Sequence, residues 1–249
     1  MGNIDSTNIF NDLAYQVIKN RLPIDDNIRR VSMEYAEKVT PSTLEQYRQR
    51  AYSNPPSPEK IKKDHFTSKV SEFVTRDHCR ALTAYEIIKD VDVNIYSSNN
   101  KNWSPDLILK HIASGMIINI GCKCSHTKYG EDDLYDLNGN ILGRADKQFT
   151  FTFQEEDRKY KANYKSKEGE IDIVFMICCL ENVVGILGWA NNDILQKLFI
   201  NPLLKKYWIR TKTNGTKSGK KCIMQKTCGT ANGFPCGFEE LPTRYENCI

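Results

Sequence analysis

The stretch Ser104–Ser125, SPDLILKHIASGMIINIGCKCS, decides how the rest of the chain is read. Pro105 lacks a backbone donor, so it suits the start of a strand and not its middle. Asp106 follows it, and the apolar run Leu107–Leu109 comes next. HIASG interrupts that run with turn residues, and GMIINIGCKC resumes it. A short apolar run, a turn signal and a second apolar run predict two adjacent strands. Alternate residues of a strand share a face, so Gly121 and Lys123 stand together. Asp106 at the start of one strand and Lys123 near the end of its partner then converge.

Outward from this hairpin, the N-terminal side has helical periodicity. Residues 8–20 carry Ile9, Leu13 and Val17 in one row, with Phe10 beside them. Residues 26–51 predict a second helical stretch, interrupted near Pro41, where Thr40 reads as a cap and Pro41 as the first turn of a fresh helix. SNPPSP, Ser53–Pro58, reads as a linker, because three prolines forbid a continuous helix. A third helix is expected over 58–84, with Phe66, Val70, Phe73 and Val74 on its apolar face and Glu72 near that face.

The period then changes to that of strands. DVNIYSS (92–98) alternates, and NNKN reads as a turn. LYDLNGNILG carries an Asn138-Gly139 hairpin signal, and KQFTFTFQ alternates cleanly. IDIVFMICCL and VVGILGWA are apolar runs split by EN, as a central hairpin would be. NNDILQKLFINPLLKKYW reads as helical, broken at Pro202. Helices, then a strand meander that is mostly antiparallel in its first half, then a helix, predict an α+β fold. The expected division is a helical N-terminal region over 1–57, an α/β core over 58–200 and a basic, Cys-containing segment over 201–249.

The chain has 249 residues, a net charge of +4 and low mean hydropathy. Its longest apolar run, Ile171–Leu180, is short and contains Asp172, so no membrane span is expected. No secretory signal precedes the nine cysteines, and Cys79, Cys122, Cys124, Cys178 and Cys179 lie in or beside apolar runs. Both features point to a reducing, intracellular setting, cytoplasm or nucleus of a host, and away from secretion. Cys222, Cys228, Cys236 and Cys248 form a looser set, spaced more widely than the usual close zinc pairs. MGNIDS fits a short pattern for acylation of Gly2. No Asp or Glu occurs from Ile194 to Phe238, while Lys205, Lys206, Arg210, Lys212, Lys217, Lys220 and Lys221 crowd into that span. A one-signed segment of this kind attracts polyanions. Trp103, Tyr207 and Trp208, beside basic or polar residues, suit base stacking, but Leu203, Leu204 and Trp208 equally suit a core-packing helix, so only the basic residues are taken as candidate contacts.

Metal-assisted phosphodiester cleavage needs hard oxygen ligands and a nearby cation to stabilise developing charge. An Asp opening one strand and an acid-x-Lys ending its hairpin partner bring these groups together. Here the chain supplies Asp106 and then Gly121-Cys122-Lys123. The main-chain carbonyl of Cys122 remains a possible ligand, and Glu72 on the preceding helix is a candidate to complete the set. Taken singly, each residue has a plainer role: Asp106 as a strand cap, Lys123 as a sheet-edge lysine, Glu72 as a helix acid. Gln154, Glu170 and Asp172 are candidate substitutes for a missing carboxylate. None of His65, His78, His111 and His126 has close metal spacing; His126 alone lies near the hairpin's end.

The order KVSEFV, DVNIY, KNWSPDL and CKCS resembles the PD-(D/E)XK nuclease superfamily over roughly residues 63–189. In layout it most resembles phage- or virus-type members. The resemblance implies a restriction-endonuclease-like fold, a mixed central sheet flanked by helices in α/β/α layers. It extends the sheet with the FTFQ strand and the IDIVFMICCLENVVGILGW hairpin. It implies Glu72 as helix acid, Asp106 as metal aspartate and Lys123 as catalytic lysine, with Asp106, Glu72 and Cys122 holding Mg²⁺ or Mn²⁺. The implied activity is DNA endonucleolysis of restriction type, with a homodimer if recognition is two-fold. Gly121 departs from the pattern, which asks for an acid there. That departure supports the alternatives of a cleavage-deficient nucleic-acid-binding protein of the same fold, or a non-enzymatic interaction protein.

Overall fold

The computed structural model describes residues 6–17, 19–49, 56–93, 105–126, 148–156, 159–161, 171–190, 206–211, 217–229 and 235–236. The described elements are α1 (Ser6–Val17), β1 (Lys19–Pro23), α2 (Asp26–Gln49), α3 (Pro58–Arg80), β2 (Tyr85–Lys89), β3 (Leu107–His111), β4 (Ile117–His126), β5 (Gln148–Glu156), β6 (Lys159–Lys161), β7 (Ile173–Cys179), β8 (Val183–Ala190), β9 (Lys206–Thr211), β10 (Lys217–Gly229) and β11 (Pro235–Cys236). The fold is α+β, with its described helices gathered in the N-terminal region. A six-stranded sheet runs in the order β1-β8-β7-β4-β3-β2. It is mixed: β4 and β7 are parallel, and every other pair is antiparallel.

The hairpin read from Ser104–Ser125 forms as β3 and β4, with Leu107 opposite Ile120 and Lys110 opposite Ile117. Its turn closes through Gly115 N–H donating to His111 O at 2.8 Å and His111 N–H donating to Met116 O at 2.8 Å. Gly115 has φ +72°, a left-handed conformation that a side chain disfavours. IDIVFMICCLENVVGILGWA forms β7 and β8 as the expected central hairpin. Strand β7 is buried at all its positions, as expected of a strand covered on both faces.

One face of the sheet carries Leu107, Leu109, Ile118, Ile120, Phe175, Ile177 and Trp189 into the core. Val70, Phe73 and Val74 of α3 and Ile9, Leu13 and Val17 of α1 pack into the same cluster. Each such side chain contributes about 1.5–3 kcal/mol on burial. Ser57 caps α3, its hydroxyl accepting the Lys60 N–H at 3.2 Å, with Pro58 in the first turn. Helix α2 lies on α3, joined by Lys62–Glu37 at 2.6 Å and Thr43–His65 at 2.9 Å.

The structure departs from the sequence expectations at several places. Helix α2 does not restart at Pro41 but runs through it. Thr40 is not a cap: its hydroxyl donates back to Ala36 O at 2.6 Å, and Ser42 and Thr43 both donate to Val39 O. These hydroxyls bond helix carbonyls around the proline, which lacks an N–H of its own. Residues 19 and 20, expected to end the first helix, instead open edge strand β1 (Lys19–Pro23), where Pro23 costs no ladder bond. Helix α3 stops at Arg80, and YEIIK forms β2; most of the expected strand over 92–98 lies outside the described residues.

KQFTFTFQ is a strand, but β5 joins a second sheet of order β11-β10-β5-β6, with β9 also on β10. It therefore does not extend the six-stranded sheet. KYW is not helical: Lys206–Thr211 is β9, because its partner β10 supplies a ladder that outcompetes local helical spacing. The Asn138-Gly139 hairpin and residues 191–205 lie outside the described residues.

A Cβ at Gly115 would meet nothing within 4 Å, so Gly115→Ala should cost only the backbone penalty. That penalty is about 1–2 kcal/mol. A lower urea midpoint with an unchanged m-value is the expected result; an unchanged midpoint would count against the left-handed turn.

Candidate functional site

Asp106 lies just before β3, and its N–H donates to Ile120 O at 2.9 Å. Its carboxylate accepts the Cys122 N–H at 2.6 Å. The side chain thus continues the β3–β4 ladder past the point where β3 ends. In an antiparallel ladder the N–H and C=O of one residue point to the same neighbour, so the Cys122 carbonyl is also on the Asp106 side. Extending the register by one position puts Asp106 opposite Gly121. The position that would hold a second carboxylate is therefore a buried glycine directly across from the first.

Helix α3 covers the other alternate face of β4. Ser71 donates to the Cys124 sulfur at 3.0 Å, and the Cys122 thiol lies against Thr75. Lys123, between the two cysteines, belongs to the opposite face from α3. Burial lowers the Lys123 ammonium pKa, while the Asp106 charge acts in the other direction. Lys123 and Asp106 therefore share an electrostatic environment, as the hairpin predicts.

Glu72, on α3, feels the Asp106 charge. Burial first, and then the Asp106 charge, push the Glu72 carboxyl from its ordinary 4.5 up to about 7, against the pull of Lys69 and Ser68. Burial likewise raises Asp106, opposed by the Cys122 N–H and by Lys69, Lys123 and Lys89. Asp106 is the common member: Glu72 and Lys69 act on it from α3, and Lys123 from β4.

Lys69 was not among the residues picked out from the sequence. Its ammonium donates to the Glu72 carboxylate and to Asp92 O at 2.9 Å, and lies 4.4 Å from the Tyr35 ring centroid. Glu72 is 7% exposed and Lys69 6%, so the pair is withdrawn from water. Burial works against the Lys69 charge, but Glu72, Tyr35 and Asp106 outweigh it and its pKa is raised. A signal was present: in FTSKVSEFV, Lys69 and Glu72 interrupt the apolar spacing of Phe66, Val70 and Phe73, three residues apart.

Of the candidate substitutes, Asp172 is engaged elsewhere. Asp172 accepts the Asn119 N–H at 2.8 Å and donates its own N–H to Asn119 O at 2.9 Å, which ties the start of β7 to β4. Gln154 sits in the second sheet, opposite Cys222 and Lys161, and Glu170 lies outside the described residues. His65, His78 and His111 bond Thr43, Gln16 O and Ser114, and His126 ends β4. Cys79, Cys122, Cys124, Cys178 and Cys179 are free thiols. Lys206 and Arg210 lie in β9, and Lys217, Lys220 and Lys221 in β10, with Lys221 opposite Ile209. Cys228 and Cys236 are register partners on β10 and β11. Gly2, Trp103, Lys205, Lys212 and Cys248 lie outside the described residues.

Among the described residues, no three His, Cys, Asp or Glu side chains are grouped to hold a metal ion. Mg²⁺, however, is commonly held by only one or two carboxylates, with water and phosphate completing its shell. Glu72 and Asp106 meet that smaller requirement, and their mutual repulsion is what a cation would relieve. In chemistry, two carboxylates of this kind are the hard oxygen donors that such an ion takes.

The raised Glu72 carboxyl has a stability consequence. A group that holds its proton more tightly when folded stabilises the fold fully below its unfolded value. That contribution is lost as pH rises from 4.5 through about 7. Glu72→Gln, a permanent mimic of the protonated form, should flatten the loss of stability between those limits. Urea unfolding at the two ends of the window measures it, and an unchanged slope would contradict the burial of Glu72 beside Asp106. Comparison with protein-family models, curated proteins and solved structures finds no match for the chain. No helix among the described residues is long and apolar enough to cross a membrane.

Proposed function

We propose that the chain is a metal-dependent DNA endonuclease of PD-(D/E)XK type, acting at Asp106 and Glu72 with Lys123. The observation that carries this reading is the electrostatic pairing of Asp106, at the open end of the β3–β4 ladder, with Glu72 of α3 on one side and Lys123 on the other. Three separate elements contribute charges that act on one another here, in the order of the motif except for the acid that Gly121 replaces. Glu72, Asp106 and the Cys122 carbonyl would hold Mg²⁺ or Mn²⁺. When bound, the ion would polarise the phosphate and acidify a water. Asp106 is oriented for this role by the Cys122 N–H, which fixes one carboxylate oxygen. Lys123, with its ammonium pKa lowered by burial, would stabilise charge developing on the phosphate. Lys205, Lys206, Arg210, Lys212, Lys217, Lys220 and Lys221 would contact the DNA backbone. A homodimer belongs to this reading if the recognised site is two-fold.

The second reading, a cleavage-deficient DNA-binding protein, is favoured by one observation. The register puts Gly121 across from Asp106, so the hairpin itself supplies a single acid. Nicking of supercoiled plasmid with and without Mg²⁺ or Mn²⁺ separates the two. Metal-dependent nicking that Asp106→Ala lowers by at least about 100-fold is the expected result. DNA retention at low salt without nicking would select the second reading, and no retention at all would sink both.

A further inference from the structure

The structure assigns a second role within this site to Lys69: we propose that its ammonium and a divalent cation are alternative occupants of the Glu72 carboxylate. The proposal rests on the metal-binding reading above. Glu72 is not an open ligand. Its carboxylate is held by the Lys69 ammonium, three residues earlier on the same helix, and by Ser68 at 3.4 Å. A cation that takes Glu72 must therefore displace a positive charge already seated there, or bind beside it against repulsion.

The surroundings of Lys69 favour exchange. Two of its contacts do not involve the acid pair: the Asp92 carbonyl at 2.9 Å and the Tyr35 ring at 4.4 Å. Both attract an ammonium and neither would be claimed by a cation on Glu72. The lysine keeps a carbonyl and an aromatic face after it releases the carboxylate, so its charge is not left unpaired. Without these two partners, release would strand a buried ammonium.

The competition is tested with Mn²⁺ alone, without DNA, by isothermal titration calorimetry on the full chain. Lys69→Gln removes the competing charge and should bind Mn²⁺ at least about tenfold tighter than the unaltered protein, as loss of one adjacent charge implies. Lys69→Arg keeps the charge and should bind like the unaltered protein. Tyr35→Leu withdraws one of the alternative seats and should weaken Mn²⁺ binding by a few fold; it serves even if Lys69→Gln does not fold. Binding by the unaltered protein that Lys69→Gln leaves unchanged or weakens would overturn the competition alone, as would Tyr35→Leu leaving binding unaltered. No Mn²⁺ binding by any of the four proteins would remove the metal reading and this inference together.

Discussion

Strand β4 has to serve two neighbours with opposite demands. It is antiparallel to β3 and parallel to β7. A parallel pairing cannot be closed by a short turn, so the chain must leave after His126 and return before Ile173. That return is anchored at Asp172, whose carboxylate and N–H both bond Asn119. The same strand carries Ile118 and Ile120 into the core and Cys122 and Cys124 toward α3. Shift its register by one residue and all of these would exchange faces with Gly121 and Lys123. The core and the candidate site therefore depend on one alignment.

The site lies where that alignment runs out. At Asp106 the β3 backbone no longer pairs regularly, and a side chain takes over the next bond of the ladder. A carboxylate in this position is rigid because the sheet fixes it. Its charge acts on groups from both faces of β4. Asp106 thus couples to Glu72 and Lys69 on one side and to Lys123 on the other, although these groups belong to opposite faces of β4.

Much of this was legible in the sequence wherever the signal was local. The β3–β4 and β7–β8 hairpins follow from apolar runs divided by turn residues, and Asp106, Glu72 and Lys123 follow from their order on those elements. The failures have a common physical cause, which is that the deciding partner was distant. The β1 and β9 strands have no strand signature of their own and are strands because β8 and β10 pair with them. Pro41 reads as a helix break until the hydroxyls of Thr40, Ser42 and Thr43 are seen on nearby carbonyls. Lys69 was passed over because a lysine in a helix is ordinarily a solvated charge. Only packing against α2 and the sheet makes it a buried counter-ion.

The balance of charge gives Gly121 a physical meaning. Around Asp106 stand one further acid, Glu72, and three lysines, Lys69, Lys89 and Lys123. An acid at position 121 would offset part of that excess. With glycine there, the cluster carries more positive than negative charge. Such a cluster holds a lone divalent cation weakly, because the cation adds to a surplus. It would hold a cation together with a phosphate better, because the phosphate would bring the missing negative charge and the oxygen ligands with it. The absent carboxylate therefore does not by itself argue against phosphodiester chemistry. In the proposed reading, the last oxygen would come from the substrate and not from the protein, and would tighten the hold on a metal that the protein already binds on its own.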